Sequence, residues 1–328
     1  MDLALSDDQA ALTDAFGAFF TKESTPTVVR AAEPLGFDTD LWSQLVEMGV
    51  PSMATPETAG GGGASLLDVA LVAELAGRHL APVPLVETVV AARLLARAGS
   101  ADWLDRAHEG AIVTLAVGGP VVPAGAIAEA VIALDGDRLV VAPLASPLPA
   151  LSNVGGIPLA AASAVDLTGA SVIATGDDAA TLHRLALDEW RALAAAVLVG
   201  MARAALEIGV DYTKSRHQFD RPIASFQSIA HRLADDATAA QGAMLLARKA
   251  AWTIDEEPDD GARLASMAYL YAGEVANRIA QESLHFHGGY GFMLEYDIQL
   301  YFRRAKAWSI ALGDPGRSYA RLGRELVS

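Results

Sequence analysis

From Leu182 to Ser328 the sequence is dominated by long helix-forming runs, broken only at short, well-marked places. Apolar residues recur at helical spacing over roughly 183–215, 225–254, 260–287 and 296–312, with a shorter run at 315–327. Short links between long helices make sequential neighbours antiparallel, so this region predicts a four-helix bundle. Much of it is alanine, the best helix former.

One link is richer than a connection requires. Asp211–Asp236, DYTKSRHQFDRPIASFQSIAHRLADD, reads as a helix end, a turn and a helix start. Arg216 and His217 stand where the first helix gives way, and Pro222 closes the turn, because proline suits a turn or a helix start but not a helix interior. Ser225 is placed to cap the next helix, with the apolar row Phe226, Ile229 and Leu233 behind it. A guanidinium in such a turn suits a diphosphate, which it can grip with two charge-assisted hydrogen bonds. Taken alone, Arg216 is more simply a solvated turn residue.

A second stretch, His285–Gly291 (HFHGGYG), ends the third bundle helix. Gly288 and Gly289 either supply the left-handed residue that stops a helix or let backbone approach another group closely. His285 and His287 make a poor metal pair. Residues two apart on a helix point to different faces, and no carboxylate stands at a suitable spacing.

Upstream the chain changes character twice. Residues 1–109 read as helical, opening with a Ser6–Gln9 capping-box spacing ahead of Leu12, Phe16, Phe19 and Phe20. Thr39 begins a further helix, and Leu66–His79 and Pro84–Ala98 are amphipathic helices. Between them PETAGGGGAS (Pro56–Ser65) is a loop that lacks the lysine of a phosphate-binding P-loop. Residues 110–182 are a small β unit. Short Val-, Ile- and Ala-rich strands are expected at Ala111–Val117, Ala130–Leu134, Leu139–Ala142, Ala164–Leu167 and Ser171–Ala174, with a hairpin turn at Asp135-Gly136-Asp137. The boundaries expected are therefore a helical unit 1–109, a shortened β unit 110–182 and a helical bundle 183–328, an α+β chain that is mostly α.

These stretches together resemble the acyl-CoA dehydrogenase family along the whole chain. The order Arg216, Phe219, Pro222-Ile223, Phe226-Gln227 resembles the family segment that holds the FAD diphosphate and adenine of a neighbouring subunit. HFHGGYG resembles its Gln, two residues, Gly-Gly motif, with His285 in the glutamine position. The resemblance implies FAD as cofactor, with Arg216, Phe219, Gln227, His285, Gly288 and Gly289 binding it. PETAGGGGASLLDVALVAELAGRHLAPVPLVET is similar to the amino-terminal domain, and Glu295 with Arg303-Arg304-Ala305-Lys306 to the helix after the glycine motif, where surface ion pairing is expected.

The chemistry that the family performs is incompletely represented. Removing an α proton from a thioester needs a carboxylate within hydrogen-bond reach. Aligned on Arg303–Lys306, the usual glutamate position falls on Leu312, and the flavin-touching residues after it on Asp314 and Gly316. The alternative position on the first bundle helix falls on Trp190, before Arg191, a substrate-binding candidate. Glu189 is one residue, about 100°, around the helix. It reads as a relocated base or as a solvated carboxylate near a helix start. No flavin-lining Thr-Glu-Pro-Gly loop occurs between Gly110 and Asp178.

The resemblance therefore implies the smaller, base-lacking subunit of a heteromeric acyl-CoA dehydrogenase of the kind found in actinobacterial steroid (cholesterol) degraders. It would complete the FAD site of a larger catalytic subunit in a heterotetramer, with an acyl-CoA as substrate and electron-transferring flavoprotein as redox partner. Two readings stay open beside it: a homomeric enzyme using Glu189 or Asp314, and a flavin-free scaffold. Composition narrows the rest. The absence of cysteine excludes disulfides and thiolate metal sites and fits a cytoplasmic protein. A net charge of −16 argues against nucleic acid. No apolar run, Ala192–Val199 included, is read as long enough to span a bilayer.

Overall fold

A computed structural model describes residues 4–327. The first helical unit runs α1 (Asp7–Glu23), α2 (Pro26–Ala31), α3 (Thr39–Glu47), α4 (Leu66–Arg78), α5 (Leu85–Arg97) and α6 (Ala101–His108). Ser6 and Gln9 form the expected capping box, and Phe16 and Phe20 of the predicted apolar face are buried. α4 starts with a second capping box, Ser65 with Asp68, directly after the glycine loop.

The middle unit has β1 (Val113–Leu115), β2 (Val121–Val122), β3 (Ala130–Asp135), β4 (Arg138–Pro143), β5 (Ala160–Ala161) and β6 (Ser171–Thr175). β3 and β4 are the hairpin expected around Gly136, whose φ of +64° is left-handed. β1 joins β3 in parallel and β6 closes the other edge, giving the order β1-β3-β4-β6, while β2 and β5 pair separately. Ala164–Leu167 is not a strand. Its start closes a short 3-10 turn, and the strand here is β5, which pairs with Val121 and Val122.

The bundle consists of α7 (Gly176–Ser215), a two-strand hairpin of β7 (His217–Gln218) and β8 (Arg221–Pro222), then α8 (Gln227–Glu256), α9 (Pro258–Phe286), α10 (Ile298–Ser309) and α11 (Pro315–Val327). α7 begins at Gly176, directly after β6, rather than at 183. Its apolar stretch is long enough to cross a bilayer, longer than the Ala192–Val199 run suggests, yet 72% of that window is buried, so it is the core helix. Ala240, Ala243, Ala247 and Ala251 of α8 and Ala265, Ala268, Ala272, Ala276 and Ala280 of α9 are buried at helical spacing. Alanine therefore forms the bundle's seam as well as favouring helix. α4 crosses α7 so closely that a Cβ on Gly77 would meet the Val197 carbonyl, and one on Gly200 the Glu74 carbonyl at 1.9 Å.

Ionic contacts bind the first helical unit to the bundle. Arg93 of α5 reaches Glu189 of α7 at 2.8 Å and Asp255 of α8 at 2.6 Å, and Arg97 joins Glu189 at 2.5 Å. On the neighbouring face Glu74 of α4 is held by Arg203 and Arg248.

Candidate functional site

The two sequence stretches singled out above meet at one end of the bundle. Tyr212, in the last turn of α7, stacks on His287 with ring centroids 3.9 Å apart, and His287 packs edge-on to Tyr296. His287 is buried, and its Nδ1 lies 2.7 Å from the Ser283 carbonyl oxygen. Burial holds its pKa below the ordinary imidazole value. The next residue, Gly288, takes the left-handed conformation (φ +59°) that ends α9. A Cβ on Gly288 or Gly289 would meet nothing within 4 Å. Both glycines line a groove of about 800 Å³ with His285, Arg232, Phe292 and Phe302.

Arg216 follows one turn after Tyr212. Its backbone carbonyl accepts from the Ile223 N–H and closes the hairpin. Its guanidinium is exposed, and among the described residues it has no ion pair or hydrogen bond. The hairpin turns on Phe219 and Asp220, both at positive φ (53° and 63°). A two-residue turn of this kind favours asparagine and glycine, and a bulky residue there is strained. Phe219 is also 86% exposed, touching the edge of Phe226, over which Arg221 lies. Neither turn geometry nor core packing accounts for a phenylalanine at this place. Gln227, the first residue of α8, is exposed. Ser225 does not cap that helix: the cap is Phe226, and the Ser225 hydroxyl donates to the Pro222 carbonyl instead.

These residues fit FAD in kind. An unpaired cation in a turn can meet a diphosphate, and a glycine turn without Cβ atoms can accept a flat ring system beside His285.

The second place is a cavity of about 60 Å³ between the first helical unit, the β unit and the bundle. Leu80–Pro84, Val197, Met201, Ala311, Trp190 and Trp308 form its mostly apolar wall, with Glu87 and Arg304 as its charged members. Trp190, 1% exposed, lies nearly parallel to Trp308 with centroids 6.1 Å apart, and its Nε1 donates to Glu87 at 3.4 Å. The position where a base could stand on α7 is thus filled by a packed indole. Burial pushes the Glu87 carboxyl up to about 7, partly opposed by its own backbone N–H and by Trp190.

The other candidates are engaged elsewhere. Glu189 is neither solvated nor among the cavity's lining residues; it is fully buried in the ion cluster with Arg93 and Arg97. Asp314 is exposed and accepts from the Gly316 backbone N–H at the start of α11. Leu312 is half-buried beside the cavity-lining Ala311. Arg191 pairs with Asp188 at 2.6 Å and lies outside the cavity lining. Of the expected surface pairs, Arg303 binds Glu33 at 2.7 Å, but Arg304 is buried and donates to the Leu80 and Gly155 carbonyls. Sequence reasoning missed Glu87 and Arg304 as cavity residues; the only local trace is a single carboxylate in the apolar run Val83–Ala92.

Known proteins are similar to this chain in sequence and fold. The model of the acyl-CoA dehydrogenase C-terminal domain matches residues 180–326, and that of the N-terminal domain residues 6–108. The acyl-CoA dehydrogenase IpdE2 of Mycolicibacterium smegmatis is 33% identical, over 98% of this chain and 100% of its own length. FadE27 of Mycobacterium tuberculosis, also an acyl-CoA dehydrogenase, is 31% identical over 89% of both chains. Among solved structures, a chain of the ChsE4-ChsE5 complex from M. tuberculosis superposes with a TM-score of 0.86 at 29% identity, covering 100% of this chain and 99% of that one.

Proposed function

Because the chain belongs to the acyl-CoA dehydrogenase family, we propose that it is a subunit that completes the FAD site of a larger catalytic partner. In this reading the partner supplies the base and the flavin-ring contacts, and the pair oxidises a CoA thioester between its α and β carbons. FAD is the cofactor of this family's chemistry. Here Arg216 would hold its diphosphate, and the Gly288–Gly289 turn with His285 its adenine side.

The observation that carries the reading is an asymmetry within one chain. At the bundle end Arg216 is exposed with no ion pair or hydrogen bond among the described residues, and Phe219 stands outward on a strained turn with the edge of Phe226 beside it, near an open glycine turn. In the chain's own cavity the indoles of Trp190 and Trp308 are packed together; outside its lining, Glu189 is held by two arginines, and Leu312 offers no proton acceptor. The likeness to a chain of a two-component complex, ChsE4-ChsE5, supports the same reading. A steroid-derived acyl-CoA is the substrate class we favour, because a steroid ACAD assembly, Tcur3481-Tcur3483, is also similar, with a TM-score of 0.87 at 27% identity. Glu189 in its ion cluster and Asp314 at a helix start count against the homomeric alternative. The outward Arg216 and Phe219 count against a scaffold without flavin.

The test is purification of the chain alone and together with a full-length family member that carries the glutamate base. The expected result is no flavin and no acyl-CoA oxidation for the chain alone, and both for the pair. Turnover by the isolated chain would overturn the proposal, as would a flavin-loaded pair whose activity does not require this chain.

A further inference from the structure

The groove beside the glycine turn is lined by a guanidinium and a carboxylate that nothing else in the described chain binds. Arg232 is exposed on its wall, about one and a half turns into α8. Two carboxylates stand where a helix usually pairs an arginine, Asp235 at i+3 and Asp236 at i+4. Asp236, however, is 2% exposed and accepts from Arg278 Nε of α9 at 3.0 Å. Among the described residues Arg232 has no ion pair or hydrogen bond. Glu282 of α9 lines the same groove, three residues before His285. Its Oε2 is buried without a partner, so Oε1 is the oxygen it can offer to the groove.

This pair restricts what the groove can take. A cation on one helix and a carboxylate on the next offset each other, so this wall does not suit a doubly charged diphosphate. Arg216, with no carboxylate bonded to it, does. The groove instead suits a neutral ring that offers acceptors to Arg232 and a donor to Glu282. Adenine is such a ring: its ring nitrogens accept and its exocyclic amino group donates. Phe292, 71% exposed, and Phe302 add aromatic surface on which a base can lie. The volume, about 800 Å³, is ample for a base with its sugar. Resting on the reading that FAD is bound at this end of the bundle, we propose that Arg232 and Glu282 are specificity-determining residues for its adenine. Arg232 donates to the ring nitrogens and Glu282 accepts from the amino group. Neither residue touches the redox chemistry; together they select the dinucleotide by its base.

The experiment uses this chain purified with its catalytic partner, stripped of flavin and titrated with FAD and with flavin hypoxanthine dinucleotide, in which a carbonyl replaces the amino group. Binding is read from the change in flavin fluorescence. The wild-type pair should bind FAD at least tenfold more tightly than the hypoxanthine form, because Glu282 would face a carbonyl in the latter. Glu282→Gln, whose amide can also donate, should narrow that preference to about threefold or less. Arg232→Met should weaken both dinucleotides about tenfold, the loss of one hydrogen bond from a charged donor, with the melting temperature unchanged. Arg232→Lys should recover part of the affinity. Equal binding of the two dinucleotides by the wild-type pair, or unchanged FAD affinity in Arg232→Met, would overturn the proposal. Should Glu282→Gln fail to fold, the wild-type comparison and Arg232→Met still decide. Arg216→Ala, run in parallel, separates this inference from the reading beneath it. If Arg216→Ala loses FAD while Arg232→Met and Glu282→Gln behave as wild type, the adenine assignment alone falls. If the pair takes up no FAD, or Arg216→Ala binds it as well as wild type, the flavin reading of this end falls and takes the assignment with it.

Discussion

Trp190 and Trp308 lie nearly parallel at an interplanar angle of 11°, one from α7 and one from α10, where the resemblance calls for an acid–base site. The pair is structural, and its removal is expected to register as lost stability. Trp190→Ala deletes a side chain that is 1% exposed. Truncation of a buried tryptophan costs about 3–5 kcal/mol, from lost burial plus the space left behind. Urea denaturation of the two proteins measures this. A change below about 1 kcal/mol would mean the cavity collapses around the vacancy.

Glu87 makes stability depend on pH. Its folded-state pKa is about 7, against an ordinary 4.5. The folded state therefore holds a proton that the unfolded state has released. The stability is fully present below about pH 4.5 and is lost progressively as pH rises to about 7. The whole effect is about 3 kcal/mol. Glu87→Gln cannot ionise, so the difference in unfolding free energy between mutant and wild type should move in the mutant's favour between pH 5 and pH 8. A constant difference over that range would mean that Glu87 is already ionised at pH 5.

Glu189 anchors α7 to α5. Replacing it by glutamine leaves Arg93 and Arg97 without their shared carboxylate, and Arg93 is buried. Breaking a buried pair from one side costs about 3–5 kcal/mol. Glu189→Gln should destabilise the chain by about that amount while leaving the flavin content of any complex unchanged. The second half of this expectation separates an anchoring carboxylate from a catalytic one.

Gly200→Ala tests the α4–α7 crossing. The new Cβ would stand 1.9 Å from the Glu74 carbonyl, which belongs to backbone and cannot swing aside. Overpacking of this kind costs about 1–3 kcal/mol or more. A melting temperature equal to wild type would show that the two helices have room to part.

Arg216→Ala should leave stability unchanged, because the side chain is exposed and unpaired among the described residues. In a complex with a catalytic partner, flavin affinity should drop tenfold or more, since one-sided truncation of a desolvated charge pair costs about 2–5 kcal/mol. Flavin absorbance per complex on gel filtration reads the effect. Full occupancy in the mutant would return Arg216 to an ordinary solvated turn residue.

What the sequence made legible was local. Pro222 and Gly288 mark chain reversals whatever surrounds them, and the Ser6–Gln9 cap acts within one turn. Arg216, Phe219 and Gln227 stand close together in sequence, so their spacing was readable. What escaped was set by distant partners. Glu189 reads as solvated until α5 brings Arg93, 96 residues away, against it. Ala164–Leu167 has strand-like composition, but the pairing edge of β2 is taken by Ala160 and Ala161. Ser225 was a plausible cap until the 3-10 turn at Ile223–Ser225 aimed its hydroxyl back at Pro222. Glu87 and Arg304 become neighbours of one cavity only when α5 and α10 are packed.

The length of α7 has a mechanical consequence. Its 40 residues are continuous and span about 60 Å at 1.5 Å each. Trp190 in the first half of the helix and Arg216 at its C-cap are therefore carried on a single rod, about 39 Å apart along its axis. A tilt of about 3° pivoting at Trp190 would swing Arg216 sideways by about 2 Å, most of the length of a hydrogen bond. If the helix tilts as one body, a displacement at the cavity lined by Trp190 would arrive magnified at the hairpin beyond its last turn. Substitutions at Trp190 or Trp308 are then expected to alter contacts at the far end of the bundle without touching a residue there.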